Sequence, residues 1–505
     1  MPSSSSNTIV KNTLFLYFRM FITMIVSLYT VRVVLRTLGV VDFGVYNVIG
    51  GVVTTLAFIT DVLANASQRF FAVELGKKDS NRLQQILGLI IFTYALTVII
   101  VLILAETVGL WFVKTKMDIP INRMDAALVV FQFSVASFLI GLITSPFNAI
   151  IIAKERMNIY AYVSILQVFL KLGIVYLLVV LPYDKLKLYA LLMFLVLSFT
   201  NFIYIFICRR NFPETKFLFL WDKTIFKSIF AYSSWTLLGT VAFICNTQGL
   251  NILFNLFFGP IANAAYAIGN QVKTTINSFA ANFFMATRPP MIKSYAEGDY
   301  TYTSKLFYYS TKVIFSLLFI LIVPLFVEIE FILCLWIGNV EQYMPIFVRL
   351  MLICAIVLSI SEPITAIVQA AGKVKIYHGV VDTFTLLTLP FSYIVFKFGL
   401  SPYMGFIISI MIFIIAHIMR LFILRTVFPF SFRQYIRNIV LPFTIAVVTV
   451  AALIYGYGFL FSNSILMIFL SFITATVFIW IFVFNRAERN YVISIIQSKL
   501  YRKHA

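Results

Sequence analysis

Apolar runs of about 20 residues, the length a helix needs to cross the hydrocarbon core, alternate with short polar breaks along the whole chain. Reading runs between breaks predicts about fourteen helices, near 12–36, 43–71, 84–113, 125–152, 158–181, 187–208, 226–256, 261–288, 304–326, 343–370, 377–398, 403–426, 435–458 and 463–484. The second and eighth are long and interrupted by Gly and Asn, and Phe331–Ile337 reads as a re-entrant or interfacial piece. Continuous Phe, Leu, Ile and Val runs argue for helices over the alternating ten-residue strands of a barrel. The predicted class is an all-α polytopic membrane protein.

The pattern repeats. GVVDFGVYNVIGG from Gly39 recurs as GPIANAAYAIGNQ from Gly259, and the same offset of 220 pairs Tyr46 with Tyr266, Ala66 with Ala286 and Asp79 with Asp299. PFNAIIIAKERMNIY from Pro146 recurs as PITAIVQAAGKVKIY from Pro363, offset 217. Six helices per half is an even number, so the halves share one orientation. The expected plan is an N-terminal six-helix lobe at 1–210, a second at 211–428, and two extra helices with a tail at 429–505.

Composition agrees: 61% of the 505 residues are hydrophobic and 11% charged, a balance no soluble domain carries. The net charge of +20 does not imply a nucleic-acid partner, because the basic residues sit mainly in short loops on one side. Lys77, Arg82, Lys154, Arg156, Arg209, Arg210, Lys293, Lys373, Lys375, Arg420, Arg425 and Arg486 belong to that side, which places both termini in the cytoplasm. Cys208, Cys245, Cys334 and Cys354 lie in or beside apolar runs without ligand spacing, and His378, His417 and His504 are scattered, so no metal site is expected. The N-terminal run lacks a cleavage-site pattern and reads as a retained first helix.

Helical spacing groups the polar residues into stripes. The first helix aligns Asn12, Arg19, Thr23, Ser27 and Thr30; the second aligns Asn47, Gly50, Thr54, Asp61, Asn65 and Arg69. In the second half, Ser233, Thr236, Thr240, Thr247, Asn251 and Asn255 line the seventh helix, and Asn263, Tyr266, Asn270, Thr274, Asn277 and Arg288 the eighth. Small polar residues also serve close helix packing, but ionised side chains at membrane depth face water or a partner. Arg19, Asn47, Asp61, Arg69, Asn251, Asn255, Tyr266, Asn270, Lys273 and Asn277 are therefore the candidate cavity residues. Lys171 stands mid-helix without a polar stripe. Asp61, Glu362, Asp382 and Thr385 offer oxygens suited to a coupling Na+ or H+. Arg32 and Arg36 are expected to snorkel. No phosphate-binding Gly-rich motif is present and the outer loops are short, which argues against an ATPase or a glycan polymerase or ligase.

LGVVDFGVYNVIGG (38–51), ASQRFFAVELGKKD (66–79), NTQGLNILFNLFFGPIANAAYAIGNQV (246–272), ATRPPMIKSYAEGD (286–299) and AAGKVKIY (370–377) resemble the polysaccharide-transport branch of the multidrug/oligosaccharidyl-lipid/polysaccharide exporter superfamily, the Wzx-type O-antigen and capsule repeat-unit flippases. The resemblance covers essentially the whole chain. It implies a MATE-like, V-shaped fold with helices 1, 2, 7 and 8 framing a central cavity. It also implies a bacterial inner-membrane transporter, not an enzyme, that moves undecaprenyl-diphosphate-linked oligosaccharide outward by alternating access. The polyprenyl tail stays in the lipid bilayer, glycan polymerase or ligase machinery acts downstream, and a monomer is the default. Many relatives carry Arg where this chain has Tyr266; Lys273, on nearly the same face, is the substitute cation. The alternatives are a multidrug or cation antiporter of the same fold, which favours cavity carboxylates, and a peptidoglycan-precursor flippase.

Overall fold

The computed structural model describes residues 3–54, 56–77, 79–115, 117, 119–213, 220–337, 340 and 342–490. In these residues the chain is helical throughout: α1 (Ser3–Thr54), α2 (Ala57–Lys77), α3 (Ser80–Leu104), α4 (Leu110–Thr115), α5 (Met124–Ala153), α6 (Met157–Val180), α7 (Lys185–Asn211) and α8 (Lys223–Ala296) come first. They are followed by α9 (Tyr300–Val327), α10 (Ile329–Ile337), α11 (Met344–Ser359), α12 (Glu362–Ala370), α13 (Val374–Ile376), α14 (Thr383–Thr385), α15 (Thr388–Lys397), α16 (Tyr403–Val427), α17 (Phe432–Tyr435), α18 (Leu441–Leu460) and α19 (Ser464–Phe482). Among the described residues, twelve helices are long and apolar enough to cross a bilayer. The second and eighth sequence segments, which carry Asp61 and Arg69, and Lys273 and Arg288, are not among these twelve. The piece around Phe331–Ile337 is the short helix α10.

Two joints make the repeat visible in the backbone. Within α1, Gly39 has φ 80 and ψ 167; within α8, Gly259 has φ 75 and ψ −170. Both lie in a region essentially reserved for glycine, and they are the first residues of the matched motif. The match of Asp79 with Asp299 has an equally local cause. Each caps a helix, accepting from the N–H three residues on, Arg82 at 3.0 Å and Tyr302 at 2.9 Å.

The chain folds as two compact units, Met1–Thr240 with Ile292–Glu297, and Val241–Met291 with Gly298–Ala505. In the first, Val45, Ile49 and Val53 of α1 pack on Ala127, Val130 and Phe131 of α5 and Ala190 of α7, while Val34 and Leu38 meet Ile174, Val175 and Leu178 of α6. Its rim is tied by Arg123, which donates Nε to Asp42 at 2.7 Å and Nη1 to Asp184 at 2.8 Å. Partial burial works against ionising Asp184, but the N–H groups of Lys187 and Leu186 and the Arg123 guanidinium hold its carboxyl below the usual value. The core of the second unit is aromatic, with Phe254 contacting Tyr266, Phe347, Phe396 and Phe406 at centroid distances of 5.1–5.6 Å. The last two long helices belong to this unit. Phe443 of α18 stacks on Phe315 of α9 at 3.7 Å, and buried Lys312 of α9 donates to Glu488 at 2.8 and 3.0 Å.

Candidate functional site

The first unit contains a cavity of about 480 Å³. Its polar lining is Thr60 and Asp61 from α2, Ser134, Ser137, Ser145 and Asn148 from α5, and Asn201 from α7, set among Tyr46, Val53, Phe133, Phe138, Met193 and Leu197. The floor is organised by hydrogen bonds: Thr144 donates to Asn201 Oδ1 at 2.9 Å, and the hydroxyls of Tyr94 and Ser145 lie 3.2 Å apart. Asn148 Oδ1 is buried with no hydrogen-bond partner, and Asp61 is exposed to the opening. One carboxylate among hydroxyl and amide oxygens is a donor set for a proton or a hard monovalent cation. The α5 contribution was not anticipated, because its hydroxyls are scattered along an apolar run instead of forming a sequence stripe.

Arg19 and Arg69 do not line this cavity. Arg19 stacks its guanidinium 4.8 Å from the ring of Tyr160. Arg69 lies between Phe70 and Tyr232, 4.7 and 5.3 Å from their centroids. Among the described ion pairs Arg19 and Asp61 are not partners. The side chains of Asn47 and Asn255 lie outside the described residues. Lys293, on the last turn of α8, bonds Glu155 at 2.8 Å, and Asn12 donates to the Glu155 carbonyl at 2.8 Å. Glu155 holds a left-handed φ of 60, and these contacts over-determine that conformation.

In the second unit, Tyr266 is buried; its hydroxyl donates to the Thr247 carbonyl at 2.9 Å, so it serves the aromatic core. Asn251, Asn270, Lys273 and Asn277 are half-buried along α8. Asn277 accepts from Ser359 at 3.5 Å. Of the residues the sequence offered for a coupling ion, Asp382 and Thr385 lie together. Asp382 is bonded to His378 Nδ1 at 2.6 Å, and the Thr385 hydroxyl donates to the Asp382 carbonyl at 2.7 Å. Among the described residues no group of three His, Cys, Asp or Glu is placed to hold a metal ion.

Glu362 instead faces arginines. It opens α12 after a break at Ile360–Ser361, where Pro363 has no N–H to continue the helix. Arg288 and Arg420 reach the same helix face through Gln369 and through Tyr377 with Thr365. Arg288 donates Nη2 to Gln369 at 2.7 Å. Arg420 donates Nε to the Tyr377 hydroxyl at 2.9 Å, and Tyr377 shares a 2.7 Å hydrogen bond with Thr365. The sequence reading assigned Arg420 to a basic loop; it lies inside α16, 6% exposed. A loop tally cannot distinguish a helix end from the turn beyond it, and only packing against Tyr377 reveals the difference.

Residues 9–296 match the family described as "Polysaccharide biosynthesis protein". No curated protein matches the chain. Among solved structures, the fold is similar to an outward-facing multidrug-resistance MATE family transporter of the MOP superfamily, at TM-score 0.71 and 14% identity over 84% of this chain and 95% of that one. It is similar also to a MATE transporter in the straight conformation, at TM-score 0.69 and 13% identity over 84% and 96%. A third is a MOP-superfamily transporter from Pyrococcus furiosus described as having a binding pocket of reverse polarity, at TM-score 0.68 and 13% identity over 84% and 96%. With more than half its length matched on a MATE-like fold, this multi-pass membrane protein belongs to the polysaccharide biosynthesis protein family.

Proposed function

We propose that the chain is an inner-membrane exporter that flips undecaprenyl-diphosphate-linked oligosaccharide repeat units from the cytoplasmic to the outer leaflet by alternating access. The observation that carries this reading is a polysaccharide biosynthesis family match on a transporter fold. The chemistry of the substrate supports it. A diphosphate headgroup needs cations at membrane depth, and Arg19, Lys273, Arg288 and Arg420 supply them inside helices. Sugar hydroxyls need amides and hydroxyls, which Asn251, Asn270 and Asn277 provide on α8. Asp61, in its oxygen-lined cavity, is the proposed carrier of a coupling Na+ or H+. Both termini are assigned to the cytoplasm from the loop charges, and the flipped unit passes to glycan polymerase or ligase machinery.

A second reading, a multidrug or cation antiporter, draws on the same Asp61 cavity, since a carboxylate in a polar pocket also suits an organic cation. Deleting the gene in its host and analysing surface glycan with the lipid extract separates the two. The flippase reading predicts loss of one surface glycan with its complete lipid-linked repeat unit stranded on the cytoplasmic side. Normal glycan with heightened sensitivity to cationic dyes would overturn it.

A further inference from the structure

Glu362, Thr365 and Gln369 stand at i, i+3 and i+7 on α12, and therefore on one face. Three other helical segments converge on that face: α8 with Arg288, the π-helical segment Tyr377–Asp382 with Tyr377, and α16 with Arg420. Arg288, Glu362 and Arg420 each lie about 10–12 Å in from the ends of their helices at Ala296, Ala370 and Val427. The cluster thus sits at membrane depth, where a guanidinium is costly unless compensated.

The compensation is incomplete. Arg420 is 6% exposed, and its Nη1 is buried without a hydrogen-bond partner. Glu362 is exposed at the start of the helix face that Arg288 and Arg420 reach through Gln369 and Thr365. The N-terminus of the nine-residue α12 adds positive partial charge at the same place. Ser361, in the N-cap position, makes no side-chain cap; its hydroxyl shares a 2.8 Å hydrogen bond with His417 Nδ1, and His417 Nε2 lies 3.0 Å from the Tyr435 hydroxyl. The His378–Asp382 pair stands next along the chain from Tyr377. Two guanidiniums and an uncapped helix N-terminus are thus set against the carboxylates of Glu362 and Asp382; Asp382 is taken up by His378, and Glu362 stands at the exposed edge.

We propose that this face of α12 is a binding site for a phosphate-type oxyanion, with Glu362 as the resident counter-ion that the ligand displaces. Planar guanidiniums and free first-turn amides are the groups that recognise phosphate oxygens. The carboxylate holds the site while it is empty and competes with the ligand when it arrives. The site itself rests on this geometry; its use by a lipid diphosphate headgroup rests on the proposed function.

The test is binding of inorganic pyrophosphate and of farnesyl diphosphate to the full chain in nanodiscs, without any transport step. Glu362→Gln removes the competing charge and is expected to tighten binding about tenfold, while Arg288→Gln and Arg420→Gln weaken it by at least the same factor. Where Arg420→Gln fails to fold, the opposite shifts of Glu362→Gln and Arg288→Gln carry the test. Binding of both probes, or of pyrophosphate alone, supports the site and makes the shared oxyanion the ligand; binding of farnesyl diphosphate alone supports it and assigns it to a lipid headgroup. Binding of neither probe, or a folded Glu362→Gln that binds no tighter than the unmutated chain, would overturn it. A flippase that recognises its diphosphate elsewhere fails here and still strands its glycan in the gene deletion, so the two failures are distinguishable.

Discussion

Pro146 and Pro363 occupy matched positions in the two halves, yet α5 runs unbroken through the first while the helix breaks between α11 and α12 just before the second. A proline leaves a carbonyl one turn back without its donor, and nearby Ser or Thr hydroxyls often patch that region. In the first unit Thr144 donates to the Ile140 and Gly141 carbonyls at 3.0 Å, in the turn just before the Leu142 carbonyl that Pro146 leaves unpaired. Its counterpart Ser361 reaches the matching Val357 carbonyl only at 3.4 Å, and its closer contact, 2.8 Å, is with His417. The preceding residue differs as well. Ser145 is buried against Tyr94, whereas Glu362 is exposed. One repeat position has thereby become the wall of an oxygen-lined cavity in one unit and a charged helix N-terminus in the other.

The ionic networks diverge in the same sense. The first unit keeps its tightest cluster, Arg123 with Asp42 and Asp184, at its rim; the second keeps Arg288, bonded to Gln369, and Arg420, bonded to Tyr377, within its helices. Each unit nevertheless sets an arginine on the repeat-matched tyrosine, Arg19 on Tyr160 at 4.8 Å and Arg420 on Tyr377 at 5.7 Å. Duplication preserved the aromatic platform, and the cation arrives from a different helix in each half.

The largest effect that separates the halves is expected at the prolines. Pro363→Ala restores an N–H and lets the helix close across Ile360–Ser361, removing the exposed N-terminus beside Glu362. Pyrophosphate affinity in nanodiscs should fall about fivefold, the scale of a helix-terminus interaction of roughly 1 kcal/mol. Pro146→Ala, in a helix already continuous, should leave that affinity unchanged and the melting temperature no lower. Equal losses at both positions would mean that the matched prolines do the same work.

A smaller effect is expected at the rim of the first unit. Arg123→Ala should lower stability at pH 7 by about 1 kcal/mol, because the partners are only partly buried. The carboxyl of Asp184 is held below its usual value, so its contribution is present above the unfolded carboxylate pKa of about 3.9 and is lost as pH falls through the folded value. Thermal melts between pH 7 and pH 3 should therefore show the gap between the unmutated chain and Arg123→Ala closing in the acid range. A gap of unchanged size at pH 3 would place the stabilisation elsewhere.

The fold was legible because its signals are one-dimensional. Apolar run length gave the helices, and the offset of 220 residues marked Gly39 and Gly259, whose positive φ values are the two joints. The second and eighth segments stood out for the polar residues that set them apart from the twelve long apolar helices. The sites were less legible because they depend on which helices meet. Asp61 was singled out by its charge, but its companions Ser134, Ser137 and Asn201 come from helices with no polar stripe. Arg420 was counted with the loops because charge at a helix end reads alike whether it points to solvent or to Tyr377. Tyr266 was placed on a polar face by spacing, and the ring of Phe254 takes it into the core.

The central claim is that the chain moves a lipid-linked oligosaccharide. Its most direct test is reconstitution of the purified chain into liposomes carrying a short polyprenyl-diphosphate oligosaccharide with a reporter on the sugar, followed by the rate at which a membrane-impermeant quencher gains access to it. The account predicts protein-dependent transfer between leaflets that is lost in Arg19→Ala, with that variant inserted and folded as the unmutated chain is. A sugar reporter that stays in its leaflet, in liposomes where the same protein moves a cationic dye, would contradict the account.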